Sequence, residues 1–182
     1  MSRIPTPASI EDSTPAARPL LEAVNRQLGV VPNMFRIIGN SAAGLEGYLG
    51  LLGALGKGEL DAKTRTRIAM VVAELNGCDY CLSAHTYLGK NVAKLDEQEL
   101  TRNRDAASVD AKAAAALGFA KALVTGRGSI TNAQLDAVKT AGHSDAQVVE
   151  IILHVALNTL TNYVNKALGT DIDFPVVSHR TG

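Results

Sequence analysis

The sequence predicts an all-α protein, a multihelical bundle, on three observations. Alanine and leucine dominate while aromatic residues make up only 4 % of the chain, a composition that suits helices better than strands. Capping residues and Gly or Asn stops punctuate the chain at helical lengths. No segment shows a convincing strand pattern.

At 182 residues the chain is long enough for one domain with a real core, or for a compact duplicated one. Hydrophobic residues account for 46 % and charged residues for 20 %, so the chain should fold. Lys+Arg and Asp+Glu are equal at 18 each, which leaves no basic excess for phosphates and argues against nucleic-acid or anionic-membrane partners. "MSRIPTPASIEDSTPAARP" has neither an apolar h-region nor an Arg-rich amphipathic pattern. No segment approaches the roughly 18 apolar residues of a membrane span. The expected location is cytoplasmic, where a cysteine pair is catalytic or metal-binding more often than a structural staple.

The elements follow in order. Pro5 and Pro7 keep the first dozen residues extended. "DSTPAARPLLEAVNRQLG" supplies Ser13 or Thr14 as N-cap, Pro15 at the first helical position and Gly29 as a stop. "VPNMFRIIGNS" reads as a short helix. "GLEGYLGLLGALGKG" spaces Gly44, Gly47, Gly50, Gly53 and Gly56 three apart, and each interior glycine costs a helix about 1 kcal/mol. Close helix packing, across a subunit contact for instance, would offset that cost. A phosphate loop is disfavoured because Gly58, not Ser or Thr, follows Gly-Lys. Residues 61–76 form a strong helix stopped by Asn76-Gly77, and a second begins at Cys78 or Asp79. "LDEQELTRNR" and "SVDAKAAAALGFAKALVTGRG" are further helices, the latter stopped by Gly126 and Gly128. Two more are separated at Gly142, with Ser144 as N-cap, before an extended tail, "TDIDFPVVSHRTG".

"AELNGCDYCLSAHTYLGK" and "VALNTLTNYVNKALGT" share a Leu-Asn step, a tyrosine and a closing Leu-Gly, a faint sign of a duplicated helix pair. The expected organisation is one domain over 1–182: an N-terminal arm and helix (1–30), a redox half (41–126), and a second helical half with the tail (127–182).

Chemistry concentrates in residues 74–90. Cys78 and Cys81 are the only cysteines, and Cys-x-x-Cys on a helix puts both sulfurs on one side within disulfide reach. His85 lies one turn beyond Cys81 on that side. At a helix start the unpaired amides and the dipole stabilise a thiolate. Such a thiolate, with a second thiol, can reduce a peroxide by way of a sulfenic acid and a disulfide. His85 could take the Cys81 proton or deliver one to the departing alkoxide. The alternatives are two buried structural cysteines, or a zinc site of Cys78, Cys81 and His85 completed by Glu74 or His154. A c-type haem is excluded because Leu82 follows the motif.

"NGCDYCLSAH" resembles the thiol motif of the AhpD-like alkylhydroperoxidase and carboxymuconolactone decarboxylase superfamily. "VPNMFR", the approach "RTRIAMVVAELNGCDYC" and the closing "TDIDFP" resemble its peroxidase-related branches, over most of residues 30–175. The resemblance implies an AhpD-like helical fold in dimers, trimers or hexamers. It also implies peroxidase activity without a bound cofactor, on a hydroperoxide substrate, regenerated by a thiol or dihydrolipoyl-type donor. Decarboxylase branches generally lack the cysteine pair. Carried over by position, Cys81 is the peroxidatic thiol, Cys78 the resolving one and His85 part of a proton relay. The family's relay glutamate falls on Thr66 here. Glu74, later on the same predicted helix, is expected to take over that acid/base or His-orienting role, because a charge is costly at the end of so apolar a run.

His154, Asn158, Asn162 and Asn165 form a polar stripe at helical spacing. They either line a cavity opposite the thiols, with His154 as a secondary proton handler, or form a buried polar network or subunit contact, the latter being favoured. Tyr80 shapes access to the sulfurs or packs, Tyr87 and Tyr163 are expected in the core, and His143 and His179 carry no signal. The expected function is a thiol-dependent alkylhydroperoxide reductase. The alternatives are a zinc-binding or redox-sensing helical subunit and a carboxymuconolactone decarboxylase-like enzyme.

Overall fold

The run from Ile68 to Ala73 is apolar on every side of a helix, and such a stretch must sit at the centre of a protein. A computed structural model, describing residues 2–180, places it there. Among the described residues there are nine helices and no strand. They are α1 (Arg18–Leu28), α2 (Asn33–Ile38), α3 (Ala42–Leu55), α4 (Ala62–Leu75), α5 (Asp79–Asn91), α6 (Glu97–Arg104), α7 (Ala111–Thr125), α8 (Asn132–Thr140) and α9 (Asp145–Leu168). α4 packs against α5, α6, α7 and α9, and Ile68 through Ala73 are all buried.

α4 also divides the core. Met70 and Ala73 face a cluster with Leu21, Phe35, Leu45 and Leu82, to which both cysteines belong. Ile68, Val71 and Val72 face the other way, against Leu117, Phe119, Val138 and Ile151 of α7, α8 and α9. The thiols therefore sit in the cluster built mainly by α1–α5, with Leu100 of α6 and Leu157 of α9 completing it and the second cluster bracing α4 from behind.

Local chemistry sets the boundaries. Asp61 caps α4 by accepting the Thr64 N–H at 2.9 Å. Gly77, at φ 61°, turns the chain out of α4 where only a residue without a Cβ is unstrained. Ser144 and Gln147 form a capping box at the start of α9. Two boundaries differ from the sequence reading. α1 starts at Arg18 with Ala17 as N-cap and Pro19 just inside the helix, whereas residues 14–17, Pro15 among them, form a preceding turn. The Leu-Asn echo has no counterpart in local structure: Asn158-Thr159 lies inside the uninterrupted α9, because β-branched Thr159 stands where Gly77 breaks the first copy.

Among the described residues, nothing outside the local backbone of α3 comes within 4 Å of the position a side chain would take at Gly47, Gly50 or Gly53. The neighbouring α9 exposes Val149, Ile152, Leu153, Leu160 and Tyr163. No helix among the described residues is long and apolar enough to cross a membrane. Residues 170–180 are not helical and run back over the first turns of α5, where Val177 N donates to Ser83 Oγ at 2.9 Å.

Candidate active site

The site begins with an N-cap. Cys78, extended at φ −101°, occupies the capping position of α5, and its sulfur accepts the Cys81 backbone N–H at 3.3 Å. A thiol is a weak cap beside Ser or Asp. Its use here folds the first turn of α5 around the sulfur pair. Both cysteines are free and buried, 1 % and 2 % exposed.

The pair is asymmetric. The bond from the Cys78 thiol pulls the Cys81 pKa down, burial pushes it up, and Asn165, Asn162 and Thr161 pull it down again, for a net lowering. Cys78 moves the other way: Cys81, burial and the charge on Cys81 all raise it, and the Cys81 backbone N–H and Lys166 only partly offset them. The two shifts run in opposite directions and make Cys81 the more readily ionised sulfur of the pair.

α9 supplies the facing wall. Asn165 Nδ2 donates to Cys81 Sγ at 3.3 Å. Asn162 is fully buried, and its Oδ1 accepts from Asn76 Nδ2 at 2.9 Å. Lys166 holds the carbonyl of Asn76, and a cavity of about 190 Å³ opens beside Cys78, between Gly77, Tyr80, Asn165, Lys166 and Thr170. One turn away from Cys81 on α5, His85 pairs with Asn158, one turn from Asn162 on α9. Cys78, Cys81 and His85 thus share one face, set against the α9 stripe. Burial pushes the His85 ring down to about 4 despite Asn158, so the ring is neutral at neutral pH. No hydrogen bond joins it to either sulfur among the described residues.

Glu74 lies elsewhere. Its Oε2 accepts from Arg104 Nε at 2.6 Å and its Oε1 from the Arg180 backbone N–H at 2.8 Å, so both oxygens serve α6 and the tail. Thr66 bonds back to the Ala62 carbonyl at 2.9 Å and touches the space beside Gly89, far along α5 from the thiols. His154 is buried with Nε2 unpartnered, and burial with the nearby Arg65 lowers its pKa to about 4. Asn158 Nδ2 donates to the His154 carbonyl at 2.7 Å, so one amide serves both histidines.

Sequence reasoning missed three neighbours. Asn76 reads only as a helix stop, yet its amide fixes Asn162. Tyr48 is buried beside Cys81; burial, then the Cys81 charge, raises its pKa. His179 bonds Asp79 at the start of α5 and lies against Gly77. No local pattern could place a tail residue there. Tyr80 is buried, with its hydroxyl accepting the Met34 N–H at 3.0 Å and Phe174 edge-on at 5.9 Å. Tyr87 and Tyr163, expected in the core, are instead 45 % and 63 % exposed, because each lies on the outward face of its helix. His143 is a buried structural ring on the Lys112 carbonyl at 2.9 Å. No three His, Cys, Asp or Glu side chains group to hold a metal among the described residues, and Glu74, one possible fourth zinc ligand, is held by Arg104.

Residues 42–122 match the model of the Carboxymuconolactone decarboxylase family. No curated protein matches the chain. Among solved structures, the chain is similar to an AhpD-core peroxidase-related protein from Ralstonia eutropha JMP134, with TM-score 0.83 and 23 % identity over 94 % of this chain and 92 % of that one. A peroxidase-related protein from Silicibacter sp. TM1040 gives TM-score 0.80 at 23 % identity, over 93 % and 91 %. The debrominase Bmp8, as an alanine-for-cysteine variant with 2,3,4-tribromopyrrole bound, gives 0.79 at 21 %, over 95 % and 94 %. At these identities the likeness is one of fold, the AhpD-like all-α fold.

Proposed function

We propose that this chain, whose residues 42–122 match the Carboxymuconolactone decarboxylase family model and whose fold is AhpD-like, is a thiol-dependent hydroperoxide reductase cycling Cys78 and Cys81 between dithiol and disulfide. The observation that carries this reading is the donor set around the buried sulfur pair: Cys78 Sγ accepts the Cys81 backbone N–H at 3.3 Å, and Cys81 Sγ accepts from Asn165 Nδ2 at 3.3 Å. A buried sulfur so supplied with donors is poised as a nucleophile.

In this reading the Cys81 thiolate attacks the terminal oxygen of the hydroperoxide. An S–O bond forms, the O–O bond breaks, and the alkoxide leaves as the alcohol once protonated. Cys81 is now a sulfenic acid. The Cys78 sulfur attacks the Cys81 sulfur, gives up its proton, and water departs as the disulfide closes. His85, neutral, is the base at hand for the Cys78 proton. Two thiols of a reductant, a dihydrolipoyl-type dithiol for example, return the pair to the dithiol and leave as a disulfide. The relay glutamate is absent at Thr66, and Glu74 is committed to Arg104, so the proton path runs through the thiol pair and His85 alone.

A second reading comes from the debrominase neighbour. The same dithiol can supply two electrons to a halogenated aromatic: a C–H bond replaces C–Br, bromide leaves, and the disulfide forms. The apolar outer face of α9 with the open glycines of α3 supports a homo-oligomer in either case.

Cumene hydroperoxide consumption with dihydrolipoamide as reductant tests the first reading, with bromide release from tribromopyrrole run alongside. Wild-type turnover is expected, with a loss of at least about a hundredfold in Cys81→Ser. In Cys78→Ser the sulfenic acid should be trapped by dimedone on Cys81. Failure of the wild type to consume peroxide, with bromide released instead, overturns the first reading in favour of the second.

A further inference from the structure

We propose that Asn165 and Asn162 of α9 belong to the reaction apparatus: their amide N–H groups hold the Cys81 sulfur in its anionic form, and Asn76 positions the second of them. This rests on the dithiol reading only in that Cys81 acts as the thiolate.

The geometry leaves these amides little else to do. Asn165 is 3 % exposed and directs Nδ2 at the sulfur from 3.3 Å, while its Oδ1 has no partner. Asn162 is 0 % exposed, and its Oδ1 is taken by Asn76 Nδ2. Its remaining edge, Nδ2, is buried with no hydrogen-bond partner, and Asn162 acts to lower the Cys81 pKa. A buried amide without an acceptor is a liability in an apolar wall. One amide on the sulfur and a second, unpartnered one a turn away become a matched set once that sulfur is charged, because a thiolate accepts several hydrogen bonds that a thiol does not reward. The sequence spacing of three places them side by side on α9.

Asn76 has a distinct part. It does not touch the sulfur. Its amide fixes Asn162 edge-on, and its own carbonyl is held by Lys166, whose charge also acts on Cys78. The helix stop of α4 and the thiol wall of α9 are therefore one hydrogen-bonded unit. It favours charge on Cys81, and with it departure of Cys81 when a reductant thiol attacks Cys78, since the sulfur of lower pKa leaves faster. Cys78 is also the sulfur that lines the small cavity.

The test is the pH dependence of iodoacetamide alkylation of each cysteine in the reduced protein, resolved by peptide mass spectrometry. Asn165→Leu should raise the Cys81 midpoint by about one pH unit, a tenfold smaller thiolate fraction below it. Asn162→Leu should shift it the same way, and Asn76→Ala by less. Asn158→Leu, which removes the amide facing His85, should leave the Cys81 midpoint in place. If Asn165→Leu does not fold, Asn165→Asp keeps the shape and sets a carboxylate against the sulfur, raising the midpoint further. Folded Asn165 and Asn162 variants with an unmoved Cys81 midpoint overturn the proposal, even if their melting temperatures fall. The titration uses no peroxide. A shifted midpoint in a protein that does not consume hydroperoxide would leave this assignment standing and remove only the substrate reading.

Discussion

His179 lies across the first turn of α5, with Nδ1 2.6 Å from Asp79 Oδ1 and its backbone N–H donating to the same oxygen at 2.8 Å. Burial raises the Asp79 pKa, but the two bonds and the charge from His179 outweigh it and hold the carboxyl below its usual range. The contact pins the end of the tail over buried thiols. Asp79→Asn should weaken that latch by about 0.2–1 kcal/mol, the range for a partly exposed pair. Alkylation of Cys81 at a pH above its midpoint should then rise by up to about fivefold. An unchanged rate would mean that the thiols are reached by another route.

Glu74 shares the task. Glu74→Gln removes the ion pair with Arg104 and weakens the bond to the tail, at a cost of about 1–3 kcal/mol. The expected signature is a lower melting temperature with the pH–rate profile of turnover unaltered. A displaced profile would restore Glu74 to the proton relay.

Away from the site, Glu99 is a buried carboxylate that accepts from four neighbours. Arg67 Nε reaches it at 2.9 Å, Asn103 at 3.1 Å and the Val109 N–H at 3.2 Å, and Ser108 also donates to it. Burial pushes its pKa up, yet those donors and Arg67 bring it below the ordinary range. Glu99→Gln would strand Arg67 as a buried charge and cost about 3–5 kcal/mol. A drop of about 10 °C in melting temperature is expected.

Acid should weaken the fold through two rings. His85 and His154 both sit near 4, below the ordinary 6.5. Between those values the unfolded chain binds protons that the folded one refuses, so stability falls as pH drops through 6.5 and levels off below about 4. Each ring contributes a slope of at most about 1.4 kcal/mol per pH unit. Urea midpoints between pH 7 and pH 4 should fall for the wild type and fall less in His154→Gln.

The outer face of α9 gives a fifth expectation. Leu153→Glu places a charge among Val149, Ile152 and Leu160 and should shift sedimentation toward the monomer. A wild type that already sediments as a monomer would contradict the oligomer.

Much of this was legible in the sequence because its signals are local. Asn76-Gly77, Ser144 and the Cys-x-x-Cys step act within a few residues, and α4, α5 and α9 begin and end where those residues require. Relationships across the chain were not legible. Glu74 looked costly at the end of an apolar run, but Arg104, thirty residues on, satisfies it. The polar stripe of α9 was visible, but its orientation toward Cys81 depends on how α9 lies along α5. His179 carries no pattern at all; only the return of the tail brings it to Asp79.

Cys78 is both the brace of the first turn of α5 and a reactant. When its sulfur enters a covalent bond with Cys81, the support it lends to the Cys81 amide is altered by the same event. Turnover therefore writes itself into the backbone: the amide protons of residues 79–82 should exchange with solvent at different rates in the two redox forms, a built-in gauge readable without any substrate.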